Sequence, residues 1–336
     1  MEDSVTERSA APGGRRIIVT GGTFPEPCLR ALREAGYDVR TVGGDLDEDG
    51  VVQALDGAWG YVLGGSERMT AKAWDRLPDL AAVCFMGTNY SSFLELPAGP
   101  SPIGFSCTPH ANAVAVAEFA VAHLLDLVRS VSRTAGEVAD GRWSERATPS
   151  LVGARLGIAG MGHIGREVAR MVHAAFGTEI VYWNRTRRPE LAALPYRSVP
   201  SLVDLFETAD VVSVHFAHEP GENDGVIGVE HLRALGPGGY LANLSRANVV
   251  DPDALRTALT EGWIAGASVD GYYTEPAPAP ADDPYGLLRL VPDRLLVTPH
   301  SAYHSVQAVR SMADMAVENL LAVGRGEPAP HAIVAS

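Results

Sequence analysis

The apolar run Leu156-Gly157-Ile158-Ala159 passes directly into Gly160-Met161-Gly162-His163-Ile164-Gly165, and that turn opens into the amphipathic stretch REVARMVHAAF. A strand, a G-x-G-x-x-G turn and a helix in this order constrain the chain more than any other feature. The first glycine permits a tight turn, the second lets a ligand come close to the backbone, and the third lets the helix pack onto the strand. Free N–H groups and the positive end of the helix then favour a pyrophosphate. The segment is expected to bind a dinucleotide through Gly160, Gly162, His163, Ile164 and Gly165.

The rest of the chain repeats the strand–helix alternation. RRIIVT, YDVRTV, GYVLGG and LAAVCFMG read as strands, separated by helical PEPCLRALREAGY, VVQAL and AKAWDRL. After Leu156 the pattern restarts with strands EIVYWN, DVVSVHF, GYLANLS, AGASVD and RLLVTPH, and helices SLVDLFETA and DALRTALTEG. Such alternation implies α/β architecture with parallel sheets and right-handed crossovers. Between the two arrays, residues 111 to 131 form one long helix that is apolar nearly all round, so it is expected to be buried on more than one side. A final helix begins near Val306, and Glu275 to Pro284 (EPAPAPADDP) is a loop.

Length and composition narrow the function classes. A chain of 336 residues suggests about two domains. The net charge of −14 argues against a nucleic-acid partner, which would require clustered cations. Lys72 is the sole lysine and sits in an ordinary helix-like stretch, which sets aside Schiff-base and P-loop chemistry. Cys28, Cys84 and Cys107 are too scattered for a disulfide framework or a metal site, so no metal is expected. No apolar run approaches bilayer length, and MEDSVTERSAAPGGRR has no signal-like core, so a cytoplasmic protein with no membrane partner is expected. Residues 1–14 read as a disordered tail.

The end of the second strand after Leu156 bears on cofactor choice. An acidic residue there would bind the ribose 2′-hydroxyl of NAD. This chain has Asn184, followed by Arg185, Thr186, Arg187 and Arg188. The acid is missing where the cations appear, which favours NADP(H), with NAD(H) as the other option.

Three more segments place reactive groups at strand ends, where open parallel sheets bind ligands. LANLSRANVVD carries Arg246, ASVDGYYTEP carries Asp270 and Glu275, and LLVTPHSAYH carries His300. Reduction of a 2-oxo acid needs a carboxylate anchor and a proton donor besides a hydride source. Arginine is a planar, permanently charged fork for a carboxylate. Histidine holds and delivers a proton near neutral pH, and a neighbouring carboxylate favours its charged form and fixes its orientation.

With these segments in order, the chain from about Tyr61 to Pro330 resembles the D-isomer-specific 2-hydroxyacid dehydrogenase family. The family's pattern G-x-G-x-x-G, N-x-x-R-G, D-x-x-x-x-E-P, T-P-H reads GMGHIG, NLSRA, DGYYTEP and TPH here, and Thr108 to Glu118 matches its entry to the interdomain helix. The resemblance implies two doubly wound Rossmann-like domains with the active site in the cleft between them. The substrate domain would be 15–110 plus 300–336, and the NAD(P)-binding domain 111–299. Arg246 would bind the substrate carboxylate and carbonyl, His300 would be the acid/base and Glu275 its partner. Asp270, Leu244 and Ser245 would lie beside the cofactor. A homodimer through the helix near 112–131 is implied as well.

The chain departs from the family at several places. Ala247 replaces the glycine after the arginine. The family's G-x-G substrate turn reads Gly87-Thr88-Asn89, where asparagine would have to tolerate left-handed backbone. Bulky Tyr303 and His304 stand where the family has small residues, so Gly87, Thr88, Asn89 and Tyr303 are the expected substrate contacts. Val62 to Gly65 and Cys84 to Met86 contain no arginine for a phosphate, which points to a compact acid of the glyoxylate or hydroxypyruvate kind, or a specialised 2-oxo acid. Two alternatives share the scaffold: action on another small anion such as phosphite, and a non-catalytic, nucleotide-sensing corepressor-like role.

Overall fold

Short runs of aliphatic and β-branched residues form the strands, and in the middle of each sheet they are buried on both faces, as parallel sheets require. A computed structural model describes residues 14–43 and 46–333. The expected N-terminal tail lies outside the described residues but for Gly14. The chain divides into two compact units, one comprising residues up to Asn112 and from Ser305 onward, the other Ala113–His304.

In the first unit, β1 (Arg16–Thr20), β2 (Asp38–Val42), β3 (Gly60–Leu63), β4 (Ala82–Phe85) and β5 (Gly104–Cys107) form one sheet in the order β2-β1-β3-β4-β5. Every pairing is parallel. Helices α1 (Glu26–Glu34) and α2 (Glu48–Ala54) connect the first strands. The C-terminal helix α9 (Val306–Gly324) returns to this unit, where Asn319 donates to the Cys107 carbonyl (3.1 Å) and accepts from the His331 amide (3.0 Å).

The second unit contains β6 (Arg155–Ala159), β7 (Glu179–Trp183), β8 (Arg197–Ser198), β9 (Val211–Val214), β10 (Tyr240–Asn243), β11 (Gly266–Asp270) and β12 (Leu295–Thr298). The sheet order β12-β11-β10-β9-β6-β7-β8 reverses direction between β6 and β9. That is the dinucleotide-binding order, and ligands bind at such a reversal, beyond the carboxyl ends of the strands. Helices α3 (Ala113–Arg129) and α5 (His163–Phe176) cover one face with Val116, Leu124, Val168 and Val172. The other face carries α6 (Leu202–Thr208), α7 (Val229–Leu235) and α8 (Pro252–Glu261), packed through Phe206, Leu232 and Leu255.

Four local readings change. AKAWDRL is not a helix beyond a single tight turn at Trp74–Arg76, because Trp74 is buried and its Nε1 donates to the Glu95 carbonyl (2.8 Å). The long helix ends at Arg129, since Ser130 takes a left-handed φ of 52°, and α4 (Val131–Ala139) follows as a separate helix. Helix α3 buries Val116, His123, Leu124 and Val128 and leaves Val114 exposed in the single chain. β5 and α7 were not legible: GFSC is four residues long, and VEHLRAL follows Gly228 with no Ser, Thr, Asp or Asn cap. No helix among the described residues is long and apolar enough to cross a membrane.

Candidate active site

The glycine turn is crowded on one side and open on the other. Gly160 has φ +99°, and a side chain there would strike the Phe216 backbone nitrogen. A side chain on Gly165 would run into the Gly160 carbonyl oxygen, so this glycine sets how closely α5 approaches β6. Nothing lies within 4 Å of the space a Gly162 side chain would fill. Gly162 caps α5, His163 begins it, and Ile164 packs against the core beneath. Open backbone at the second glycine and tight packing at the first and third are what a bound pyrophosphate requires, so these residues fit a dinucleotide.

A cavity of about 240 Å3 adjoins the turn, and Asn184, Arg185, Thr186 and Arg188 line it together with His215 and Phe216. Asn184 Oδ1 accepts the Met161 amide at 2.7 Å, while its Nδ2 is buried without a partner. The asparagine therefore supports the glycine turn with its oxygen and keeps a donor in reserve. Arg187 is exposed and does not line the cavity. Burial alone drives the His215 imidazole down to a pKa of about 3, which keeps the ring neutral.

The reactive groups lie at the carboxyl ends of three adjacent strands. Asn243 ends β10 and holds the next turn on both sides: its Nδ2 donates to the Arg246 carbonyl (2.9 Å) and its Oδ1 accepts the Ser245 amide (3.0 Å). Ser245 Oγ donates to the Phe216 carbonyl at 2.6 Å, and Leu244 is buried beside it. Arg246 leaves this braced turn with its side chain half-buried, and its Nη1 lies 3.8 Å from Glu275 Oε2. The same oxygen lies 3.1 Å from His300 Nδ1, and Glu275 Oε1 accepts the Tyr272 amide at 3.2 Å. Burial pushes the Glu275 carboxyl up. The hydrogen bond and charge of His300, the charge of Arg246 and the Tyr272 amide outweigh it and hold the group below its usual range.

Asp270 ends β11 and is 4% exposed. Its Oδ1 accepts Thr298 Oγ1 (2.7 Å) and the Ser301 amide (2.9 Å), and its Oδ2 accepts the Ala302 amide (2.9 Å). Both oxygens are thus engaged by the turn that carries His300, which has a left-handed φ of 52°. Asp270, expected beside the nicotinamide, thus also clamps the histidine turn. The clamp also puts His300 in the second unit rather than the first, where the sequence reading had placed residues 300–304. Among the described residues, no group of three or more His, Cys, Asp or Glu side chains could hold a metal ion.

Residues 121–302 match the D-isomer specific 2-hydroxyacid dehydrogenase NAD binding domain. A glyoxylate reductase of Korarchaeum cryptofilum is 35% identical over 275 residues, which are 80% of this chain and 80% of the relative. The chain belongs to the D-isomer specific 2-hydroxyacid dehydrogenase family. A 2-ketogluconate reductase of Gluconobacter oxydans is 33% identical, with 78% of this chain and 82% of the relative covered. Among solved structures, an NADPH-dependent glyoxylate/hydroxypyruvate reductase of Sinorhizobium meliloti in complex with NADP and malonate is 28% identical. It matches with a TM-score of 0.76 over 95% of this chain and 97% of that one. As a family member, the protein is a nicotinamide-dependent oxidoreductase acting between 2-oxo and 2-hydroxy acids.

The dehydrogenase keeps its departures from the family pattern at low structural cost. Ala247 is buried and opens a short turn, so its methyl group is accommodated. Asn89 has φ −93°, so the Gly87-Thr88-Asn89 turn does not use the left-handed backbone expected of it. Thr88 Oγ1 there accepts the His110 amide (3.0 Å), and Gly87 is buried. Tyr303 stands edge-on to His300 with ring centroids 5.8 Å apart and lies tilted against His304 at 4.1 Å. Burial raises the Tyr303 phenol, with Asp270 and Glu275 adding to it against Arg246, so the group stays protonated. Two contributors escaped the sequence reading: Asn243, hidden as an ordinary strand residue, and the Asp270 clamp, which only the fold brings to the histidine turn.

Proposed function

We propose that this dehydrogenase reduces small, unphosphorylated 2-oxo acids such as glyoxylate and hydroxypyruvate to D-2-hydroxy acids, with NADPH as the preferred cofactor. One observation carries the reading: Glu275 Oε2 lies between His300 Nδ1 (3.1 Å) and Arg246 Nη1 (3.8 Å), at the ends of neighbouring strands. With Nδ1–H donated to Glu275, Nε2 is the ring nitrogen left to carry a proton to the substrate carbonyl oxygen. Arg246 grips the substrate carboxylate with its fork and keeps that oxygen within reach of His300. Tyr303 narrows the space next to the histidine, which suits a short acid. The bound cofactor supplies the hydride; Gly160 to Gly165, Leu244 and Ser245 would hold it.

NADPH preference is supported by the unpartnered Asn184 Nδ2 and by Arg185 and Arg188 along the same cavity. Donors and cations suit a 2′-phosphate, and no carboxylate lines that wall to repel it. An unphosphorylated substrate is supported by Val62 to Gly65 and Cys84 to Met86, which contain no arginine for a phosphate. We assign Gly87, Thr88 and Asn89 in the first unit to substrate contact. We also assign a homodimer through the helix near 112–131, supported by the exposed apolar side chains Val114 and Val131 there and Val138, Trp143 and Val152 after it.

The test is a panel of 2-oxo acids with both cofactors, followed by loss of reduced-nicotinamide absorbance. Glyoxylate or hydroxypyruvate with NADPH should give the highest kcat/KM. A lead for 3-phosphohydroxypyruvate would overturn the substrate assignment, and oxidation of phosphite alone would overturn the reaction.

A further inference from the structure

Helix α3 buries a histidine that the chemistry above does not use. His123 is 3% exposed and packs on Phe119 one turn earlier, with ring centroids 4.8 Å apart. Its Nε2 lies 3.3 Å from Thr298 Oγ1, and its Nδ1 is buried with no partner. Thr298 Oγ1 is also 2.7 Å from Asp270 Oδ1 and 3.4 Å from the Val269 carbonyl. The hydroxyl has one proton to give among these neighbours, so where it goes depends on the His123 tautomer.

If Nε2 were bare, it would compete for the Thr298 proton, Asp270 would lose a donor, and Nδ1–H would be a buried donor without an acceptor. An unpaired buried N–H is costly. If Nε2 carries the proton, it donates to Thr298 Oγ1, the Thr298 proton goes to Asp270, and only a bare nitrogen is left unpaired. Burial holds His123 below its ordinary pKa against the charges of Asp270 on β11 and Asp126 on α3, so the ring is neutral near pH 7.

We propose that His123 is a positioning residue for His300: its Nε2–H directs the Thr298 hydroxyl onto Asp270, and Asp270 in turn holds the Ser301 and Ala302 amides of the histidine turn. The chain of contacts runs from α3 through β12 and β11 to the turn without leaving the second unit. The proposal rests on the reading of His300 as the acid, and its test separates the two ideas.

Glutamine at 123 can place an amide N–H near the position of Nε2, whereas asparagine reaches only the position of Nδ1. His123→Leu and His123→Asn should lower kcat about tenfold, the scale expected of a catalytic group held slightly out of place. KM for NADPH should be unchanged in both. His123→Gln should stay close to wild type. Both polar variants bury an amide, so their difference isolates the hydrogen bond from general destabilisation. Imidazole 15N shifts of the wild-type enzyme should identify an Nε2–H tautomer at neutral pH, with no variant needed. A wild-type kcat in His123→Leu, equal losses in His123→Gln and His123→Asn, or an Nδ1–H tautomer would each overturn the proposal. An active His300→Ala enzyme would instead overturn the role of His300 and leave the tautomer result standing.

Discussion

Glu275 shows how one carboxylate serves two partners. Its Oε2 faces both His300 and Arg246, and its ionised form is favoured below the ordinary carboxylate range. A group whose folded pKa is lowered contributes above that pKa and loses its contribution as pH falls through it. Reduction should therefore persist on the acid side to below about pH 4.3, the ordinary glutamate value, provided the fold survives. Glu275→Gln should lower kcat on the order of 10²-fold through loss of the oriented acid, and the acid limb should change shape. An identical kcat/KM profile against pH in the variant would remove Glu275 from the account. Cofactor choice belongs to this scale too. Asn184→Asp with Arg185→Ala puts a repelling charge where the unpartnered amide nitrogen stands and removes a cation. Each charge-assisted bond lost is worth roughly 1.5–3 kcal/mol, less where solvent screens it, so NADPH preference should fall at least tenfold or reverse. Equal wild-type efficiency with NADPH and NADH would show that these residues do not read the phosphate. Residue types and spacings made this level legible. The G-x-G-x-x-G, Arg246, Glu275 and His300 are chemically distinctive, whereas Asn243 and Asp270 matter only through what the fold brings to them.

On the proposed reading, the element that positions the acid is the turn from Thr298 to Ala302, held by Asp270 through one hydroxyl and two amides. Asp270→Asn keeps the shape but sets an NH2 against at least one of those donors, so the turn loses a charge-assisted bond and gains a donor–donor contact. Turnover should drop about tenfold to a hundredfold, as for a displaced catalytic group, with the melting temperature a few degrees lower. A variant with wild-type kcat would mean that the clamp does not position His300. Strand and helix alternation was readable because hydrophobic period and glycine or proline boundaries agree in most segments. It failed at AKAWDRL, where the buried Trp74 anchors a tight turn, and at the end of the long helix, where Ser130 turns left-handed just before the expected end. Helix α7 and strand β5 are too short to show a period.

At the scale of the whole molecule, the seven-stranded sheet reverses order between β6 and β9, which puts the glycine turn and the nucleotide cavity at one place. That much followed from a single motif with a strand before it and a helix after it. Assembly does not follow from that motif; the family resemblance implies it, through the helix near 112–131. Trp143 is 83% exposed, unusual for so large an aromatic surface in a monomer. Sedimentation should give twice the 35.5 kDa chain mass, and Trp143→Asp with Val138→Asp should shift it to the monomer. A wild-type monomer would remove the dimer assignment without touching the chemistry. The central claim is that His300, held by Glu275 beside Arg246, supplies the proton in a D-specific reduction. It is tested most directly by chiral analysis of the glycerate formed from hydroxypyruvate and NADPH, with wild type and His300→Ala compared at matched cofactor binding. The account predicts D-glycerate from the wild type and a rate on the order of 10²–10⁴ lower in the variant. L-glycerate, a racemate, or undiminished turnover by His300→Ala would contradict it.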